Sequence, residues 1–198
     1  MEGYHGTTPQ SVNAILETKH FKINKFEITG DWIIKNNQSL PNDLGQGLYL
    51  FVDDEDKGYQ GLESAKSYAR IYRNSKKKIG VIKFKVDREN LKVLNLNSPA
   101  SIKIFNKYKE TYSSRISNSL KHLKQNRALD RYNLDGIFIE HLLCYHHKFK
   151  DVNAVSYDSY VPRTPDRPMS GVPNGREVCL RNSDLIDWSL TEEVYNGL

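Results

Sequence analysis

Cysteine is scarce. Only Cys144 and Cys179 occur in 198 residues, each in an apolar run and far apart in sequence. That spacing does not suit a secreted disulfide framework, so the expected compartment is a reducing cytoplasm. Long hydrophobic runs are also missing. No stretch approaches the roughly 20 apolar residues that cross a bilayer, and no basic-then-apolar leader opens the chain, so no membrane partner is expected. Internal repeats and low-complexity tracts are absent too. The length suits one domain over residues 1–198, large enough to bury a core without disulfides or metal. With Met1 taken as the start, His5 stands too early for an upstream delivery module, and the expectation is a protein acting in the cell that makes it.

Positive charge is in mild excess. The formal net charge of +5 and pI of about 9.0 suit an anionic partner such as NAD, RNA, DNA or an acidic inhibitor, and equally serve ordinary solubility. Much of the excess falls between Lys103 and Arg127, where seven Lys or Arg face one Glu.

Residues 3–7 read as a short strand, followed by Thr8 as N-cap and Pro9 in the first helical turn of a helix reaching about residue 19. Residues 28–44 are polar and irregular and read as a loop, 47–52 as a second strand, and 53–61 as an acidic loop. From Glu63 to about Arg73, Ala65, Tyr68, Ala69 and Tyr72 form one apolar helical face, which turns Tyr68 inward. Strands are expected over 79–86 and 91–96, then a helical region over 99–131 with a break near Ser113-Ser114. Further strands are expected at 134–139 and 152–160, with a long exposed loop over 161–175 leading into an alternating strand around Glu177.

Three short motifs stand out in order: Tyr4-His5-Gly6-Thr7-Thr8, then Gly45-Gln46-Gly47-Leu48-Tyr49-Leu50, then Arg176-Glu177-Val178-Cys179-Leu180-Arg181-Asn182. Alone each is weak; their order and spacing are more specific. Together they resemble the ADP-ribosyltransferase fold in its histidine-tyrosine-glutamate branch, which includes poly(ADP-ribose) polymerases and diphtheria-type toxins. The resemblance covers about residues 4–94 and 134–188. It implies an α+β fold, with a split β-sheet core, flanking helices and a basic helical insertion at about 99–131.

It also implies site roles. His5 and Thr7 would hold the ribose hydroxyls of NAD, and the Gly6 backbone would bond the nicotinamide carboxamide. Tyr49 and Tyr68 would stack on the ring, Tyr68 through the loose match Ser64-Ala65-Lys66-Ser67-Tyr68. Glu177 would stabilise the positive charge that develops as the glycosidic bond of NAD breaks. Simpler readings stand beside these: Tyr49 as core, His5 as a strand cap, Glu177 as a solvent-facing residue on a half-buried strand.

Toxins of this fold meet their acceptor through the loop before the glutamate. By resemblance, Arg163, Arg167 and Arg176 would steer an acidic or phosphate-bearing acceptor, or they simply keep an exposed loop soluble. Gly175 stands where arginine- or asparagine-modifying relatives carry Glu or Gln, which counts against both specificities. The implied activity is mono-ADP-ribosyl transfer from NAD to RNA, DNA or protein, by a toxin of a toxin-antitoxin or phage-defence system with an antitoxin partner. NAD hydrolysis and a non-catalytic nucleic-acid-binding module on the same fold are the alternatives. RNA 2′-phosphotransferases share the His-Gly-Thr run, but their arginine pattern finds no match here. Residues 99–131 fit a nucleic-acid backbone, an acidic antitoxin or a solvated face. The group Glu140, His141, Cys144, His146 and His147 fits no standard zinc spacing and reads as incidental, so no metal is expected.

Overall fold

The computed structural model describes residues 1–198 except 22, 24–25, 35–38, 74–76, 122–132 and 165–169. Seven strands form one mixed sheet in the order β4-β5-β6-β2-β1-β3-β7. They are β1 (Glu2–Thr7), β2 (Leu48–Val52), β3 (Ile79–Val86), β4 (Val93–Asn95), β5 (Ala154–Ser159), β6 (Gly175–Leu180) and β7 (Ile186–Gly197). Only β4 and β5 run parallel; the other pairs are antiparallel. With four helices, α1 (Pro9–Thr18), α2 (Gly61–Tyr68), α3 (Pro99–Lys121) and α4 (Asn133–Tyr145), the class is α+β.

Helices cover both faces of the sheet, and strand alternation decides which residues meet which layer. On one face, Leu48, Leu50, Ile82, Phe84, Val178 and Leu180 pack with Val12 of α1. The Thr8 side chain accepts from the Ser11 amide at 3.3 Å and Pro9 follows it, which fixes where α1 begins. The opposite face carries two separate clusters. Cys179 and Val155 lie under α3, α4 and the segment 26–44, whereas Phe51 and Val81 lie under α2 with Ala65.

Several expectations need correction. Residues 134–139 belong to α4 and are not a strand. Ile137, Phe138, Ile139, Leu142 and Leu143 are all buried, so the helix is apolar nearly all round and a short window of it has no telling period. Gly136 allows its close docking, because a Cβ there would strike the Asn42 carbonyl. Helix α3 runs through Ser113-Ser114 without a break, Ile116 anchoring it in the core. The described part of 28–44 is irregular but not merely polar: Ile28, Trp32, Ile34 and Leu44 are buried. Trp32 sits in the left-handed region at φ 64° and stacks on His141 at 3.6 Å between ring centroids.

The α2 region also differs. The α-helix stops at Tyr68 and a π-helical turn, Ala69–Arg73, follows. That turn rotates the later side chains off the α-helical face, so Tyr72 is 39% exposed while Ala65 and Ala69 are fully buried. Strand β7 was not foreseen, since its charged residues suit an exposed edge and show little apolar alternation.

Candidate active site

The sheet nearly divides between β1 and β2, which share a single register pair, Tyr4↔Phe51. Strand β1 pairs continuously with β3 from Glu2↔Lys85 to Thr7↔Gly80. Met1 and Val86 exchange both backbone hydrogen bonds, each at 2.7 Å. Alternation along an antiparallel ladder then points the N–H and C=O groups of Gly3, His5 and Thr7 toward β3, and those of Tyr4 and Gly6 toward β2. Tyr4 finds Phe51 there, whereas Gly6 faces the gap. The Tyr49 carbonyl across that gap is bonded by His5 Nδ1 at 2.9 Å, so a side chain bridges where the ladder stops. This contact places the proton on Nδ1 of a neutral ring. Burial lowers the His5 pKa, as does the charge of Arg73, against the raising effect of the Tyr49 carbonyl.

Gly6 is required by the layer above it. A Cβ at this position would run into the Ala65 carbonyl and lie 3.0 Å from the Ala69 Cβ, so the start of the π-turn rests directly on β1. The histidine-glycine pair thus combines a ring that props the gap with a backbone that lines it.

Tyr49 and Glu177 share one face of the sheet, since Tyr49 pairs with Cys179 and Phe51 with Glu177. Along β6, Gly175 lies beneath Ser64 of α2 and Cys179 beneath the α3–α4 cluster, which leaves Glu177 at the seam. Its carboxylate accepts from Ser159 Oγ at 2.5 Å. Burial and the neighbouring Asp43 charge push its pKa up to about 7, against the lowering effect of Ser159. A carboxyl poised there switches between neutral and charged forms near neutral pH. Tyr157, directly opposite Glu177 in the β5–β6 register, is 44% exposed and flanks it on the same face.

The Tyr49 ring is fixed by the loop that precedes it. Its hydroxyl donates to the Gly45 carbonyl at 2.9 Å and accepts from the Leu44 amide at 2.9 Å. The same amide lies 3.1 Å from Asp43 Oδ1, so Asp43 sits at the tip of the ring. Burial raises the pKa of Asp43 and holds that of Tyr49 well above the ordinary phenol range. The loop is itself clamped: Glu140 accepts from the Gln46 amide at 2.6 Å and pairs through both carboxylate oxygens with Arg181, whose Nη1 also reaches the Gln46 carbonyl at 3.3 Å. Gly45, at φ +90°, makes the turn in a conformation that L side chains rarely adopt.

His5 and Gly6 therefore border the gap across from Tyr49, and Tyr49 shares a sheet face with Glu177, two residues along in the β2–β6 register. Thr7 is buried at the end of β1. Tyr68 is the last residue of α2, its ring centroid 5.8 Å from Phe51 and 5.0 Å from Tyr72. Arg176 points to the other face and is committed elsewhere, to Asp54 and Asp158, each at 2.8 Å. Arg163 is exposed beside Ser64 and the Asn174 carbonyl, at 3.5 and 3.4 Å. Arg167 lies outside the described residues.

Sequence reasoning missed Asp43, Ser159, Tyr157 and the Glu140–Arg181 pair. Asp43 had the best available signal, standing two residues before Gly45-Gln46-Gly47; the others become visible only once β5, β6 and α4 are paired. Among the described residues no three His, Cys, Asp or Glu side chains group to hold a metal. His141 instead bonds Tyr108 at 2.6 Å through Nδ1. No helix among the described residues is long and apolar enough to cross a membrane. A depression of about 510 Å³ lies elsewhere, lined by Met1, Lys85–Glu89 and residues at the start of β7, and includes none of the site residues. No family model matches the chain, and neither a curated protein nor a solved structure does.

Proposed function

We propose that this seam binds NAD and that the chain transfers its ADP-ribose to an anionic macromolecule. The observation that carries the reading is the Glu177 carboxyl, which has no cation partner among the described residues and shares a sheet face with Tyr49, across the gap from the Gly6 backbone. The carboxamide of nicotinamide needs one donor and one acceptor about as far apart as the N–H and C=O of a single strand residue, and Gly6 offers both. The Tyr49 ring supplies a flat apolar wall, and Tyr68 closes the site farther along the α2 side.

As the bond between nicotinamide and ribose breaks, its electron pair leaves with nicotinamide and positive charge develops on the sugar. Ionised Glu177 lowers the energy of that charge in a site where few waters compete. A nucleophilic oxygen or nitrogen of the acceptor then bonds to the sugar carbon and loses its proton, with Glu177 as the base. An anionic acceptor is supported by exposed Lys103 and Lys107 on α3 and exposed Arg163 beside the seam.

The test is incubation of the purified protein with NAD labelled in the adenylate half, together with RNA, DNA and protein from cell extract. Release of nicotinamide with label on a macromolecule, lost in Glu177→Gln, is expected. Intact NAD after long incubation with every acceptor overturns the reading; release of free ADP-ribose with no labelled acceptor would reassign the reaction to hydrolysis.

A further inference from the structure

The π-helical turn Ala69–Arg73 buries Ala69 and Ile71 and turns Arg73 outward, and π-turns of this kind recur at functional sites. Its first residue, Ala69, abuts Gly6, so the turn rises from the floor of the seam. At its end the Arg73 guanidinium carbon lies 5.7 Å from the centroid of the Tyr68 ring, which in turn packs on Phe51 beside the β1–β2 gap. Arg73 is also close enough to His5 for its charge to lower the imidazole pKa.

Three other arginines near the sheet are held by protein groups, and Arg163 lies at the Ser64–Asn174 end of α2 rather than beside Gly6. Arg70 donates to the Tyr195 hydroxyl at 3.0 Å and the Leu198 carbonyl at 2.7 Å, Arg176 holds two aspartates, and Arg181 holds Glu140. Among the described residues Arg73 has no carboxylate partner; it is exposed, with its guanidinium over the Tyr68 face. A planar guanidinium oriented on an aromatic ring keeps its in-plane N–H groups free for a bidentate anion.

We propose that Arg73 anchors the diphosphate of the bound dinucleotide, setting which way NAD enters the seam. This rests on the NAD reading above and adds to it a residue that the motif resemblance does not supply. With nicotinamide against Gly6 and Tyr49, the diphosphate must leave the seam along one of its walls, and the α2 wall carries Arg73, which has no carboxylate partner among the described residues and lies over the Tyr68 ring. His5, neutral and bonded through Nδ1 to the sheet, adds no charge of its own there.

The experiment compares the binding of ADP-ribose, adenosine and nicotinamide to the full chain by calorimetry, for the native protein, Arg73→Gln and Arg73→Lys. Arg73→Gln should weaken ADP-ribose at least tenfold, flatten its dependence on salt, and leave nicotinamide and adenosine unchanged; Arg73→Lys should recover part of the loss. Equal ADP-ribose affinity in native and Arg73→Gln proteins overturns the anchor and leaves the NAD reading standing. Equal loss of all three ligands overturns it too, by making the residue structural. Native protein that binds none of the three ligands overturns both proposals. Unchanged thermal unfolding of the variants, expected for an exposed side chain, confirms that the fold is intact.

Discussion

Arg176 and Glu177 are neighbours on β6 but belong to opposite faces of the sheet, and the two faces treat charge in opposite ways. Around Arg176 every charge is answered: Asp158 lies against both Arg176 and Lys57, and Asp54 takes the remaining side of the guanidinium. Those contacts lower the pKa of Asp158 and raise those of Arg176 and Lys57. Around Glu177 the hydrogen-bond donor among the described residues is the Ser159 hydroxyl, and the charge that acts on it is another carboxylate, Asp43. A network of matched charges holds shape, whereas an unmatched carboxyl stores unfavourable energy that a cationic ligand or transition state can relieve. The comparison therefore separates charges matched within the fold from one left without a cation among the described residues, the condition that the proposed reaction uses.

The contrast is broken most severely at another buried carboxylate, Glu140. Truncating its partner, Arg181→Ala, leaves a buried charge without compensation and should cost about 3–5 kcal/mol of stability, measured by chemical denaturation. Loss of the clamp on Gln46 should also loosen the loop that holds Tyr49, seen as faster hydrogen exchange at Leu44 and Gln46.

Glu177→Gln should behave in the opposite sense. A carboxyl whose pKa is raised by folding supports the fold below its ordinary value of 4.5, and that support is lost as pH rises through about 7. The variant should therefore match the native protein near pH 4 and exceed it above pH 8, by roughly 2 kcal/mol because partial solvent access discounts the full shift. Nicotinamide release by the native protein should rise with pH through the same window and be lost in the variant. A variant that is less stable at every pH would place Glu177 with the matched charges.

Ser159→Ala removes a contact that favours the ionised form of Glu177, so the midpoint of the pH–rate profile should move upward by up to about one unit. Tyr49→Phe deletes the hydroxyl that joins Leu44 and Gly45 and should cost about 1 kcal/mol, with little change in that midpoint.

What could be read from sequence follows the reach of the forces involved. The Thr8-Pro9 helix start and the alternating strands β2, β3 and β6 are local patterns, and they lie where expected. Helix α4 was lost because an element buried on most sides has no polar face to mark its period. Trp32 was lost for a related reason: its segment is irregular, and its burial comes from His141 and Phe138, far along the chain. At the site, His5, Gly6, Tyr49 and Glu177 stood out by their glycine-punctuated motifs. Ser159 and Arg181 did not, because only the β5–β6 register and the docking of α4 make a serine or an arginine meaningful there.

In most sheets adjoining strands are stitched by main chain alone, but here an imidazole closes the last stitch between β1 and β2. A lone rung followed by a side-chain tie makes a narrow neck between two halves of the molecule, and the width of the slot is written in one residue. Exchanging His5 for a shorter side chain would take that tie from the Tyr49 carbonyl and leave the Tyr4↔Phe51 rung and α2, which rests on both strands, to hold the halves together.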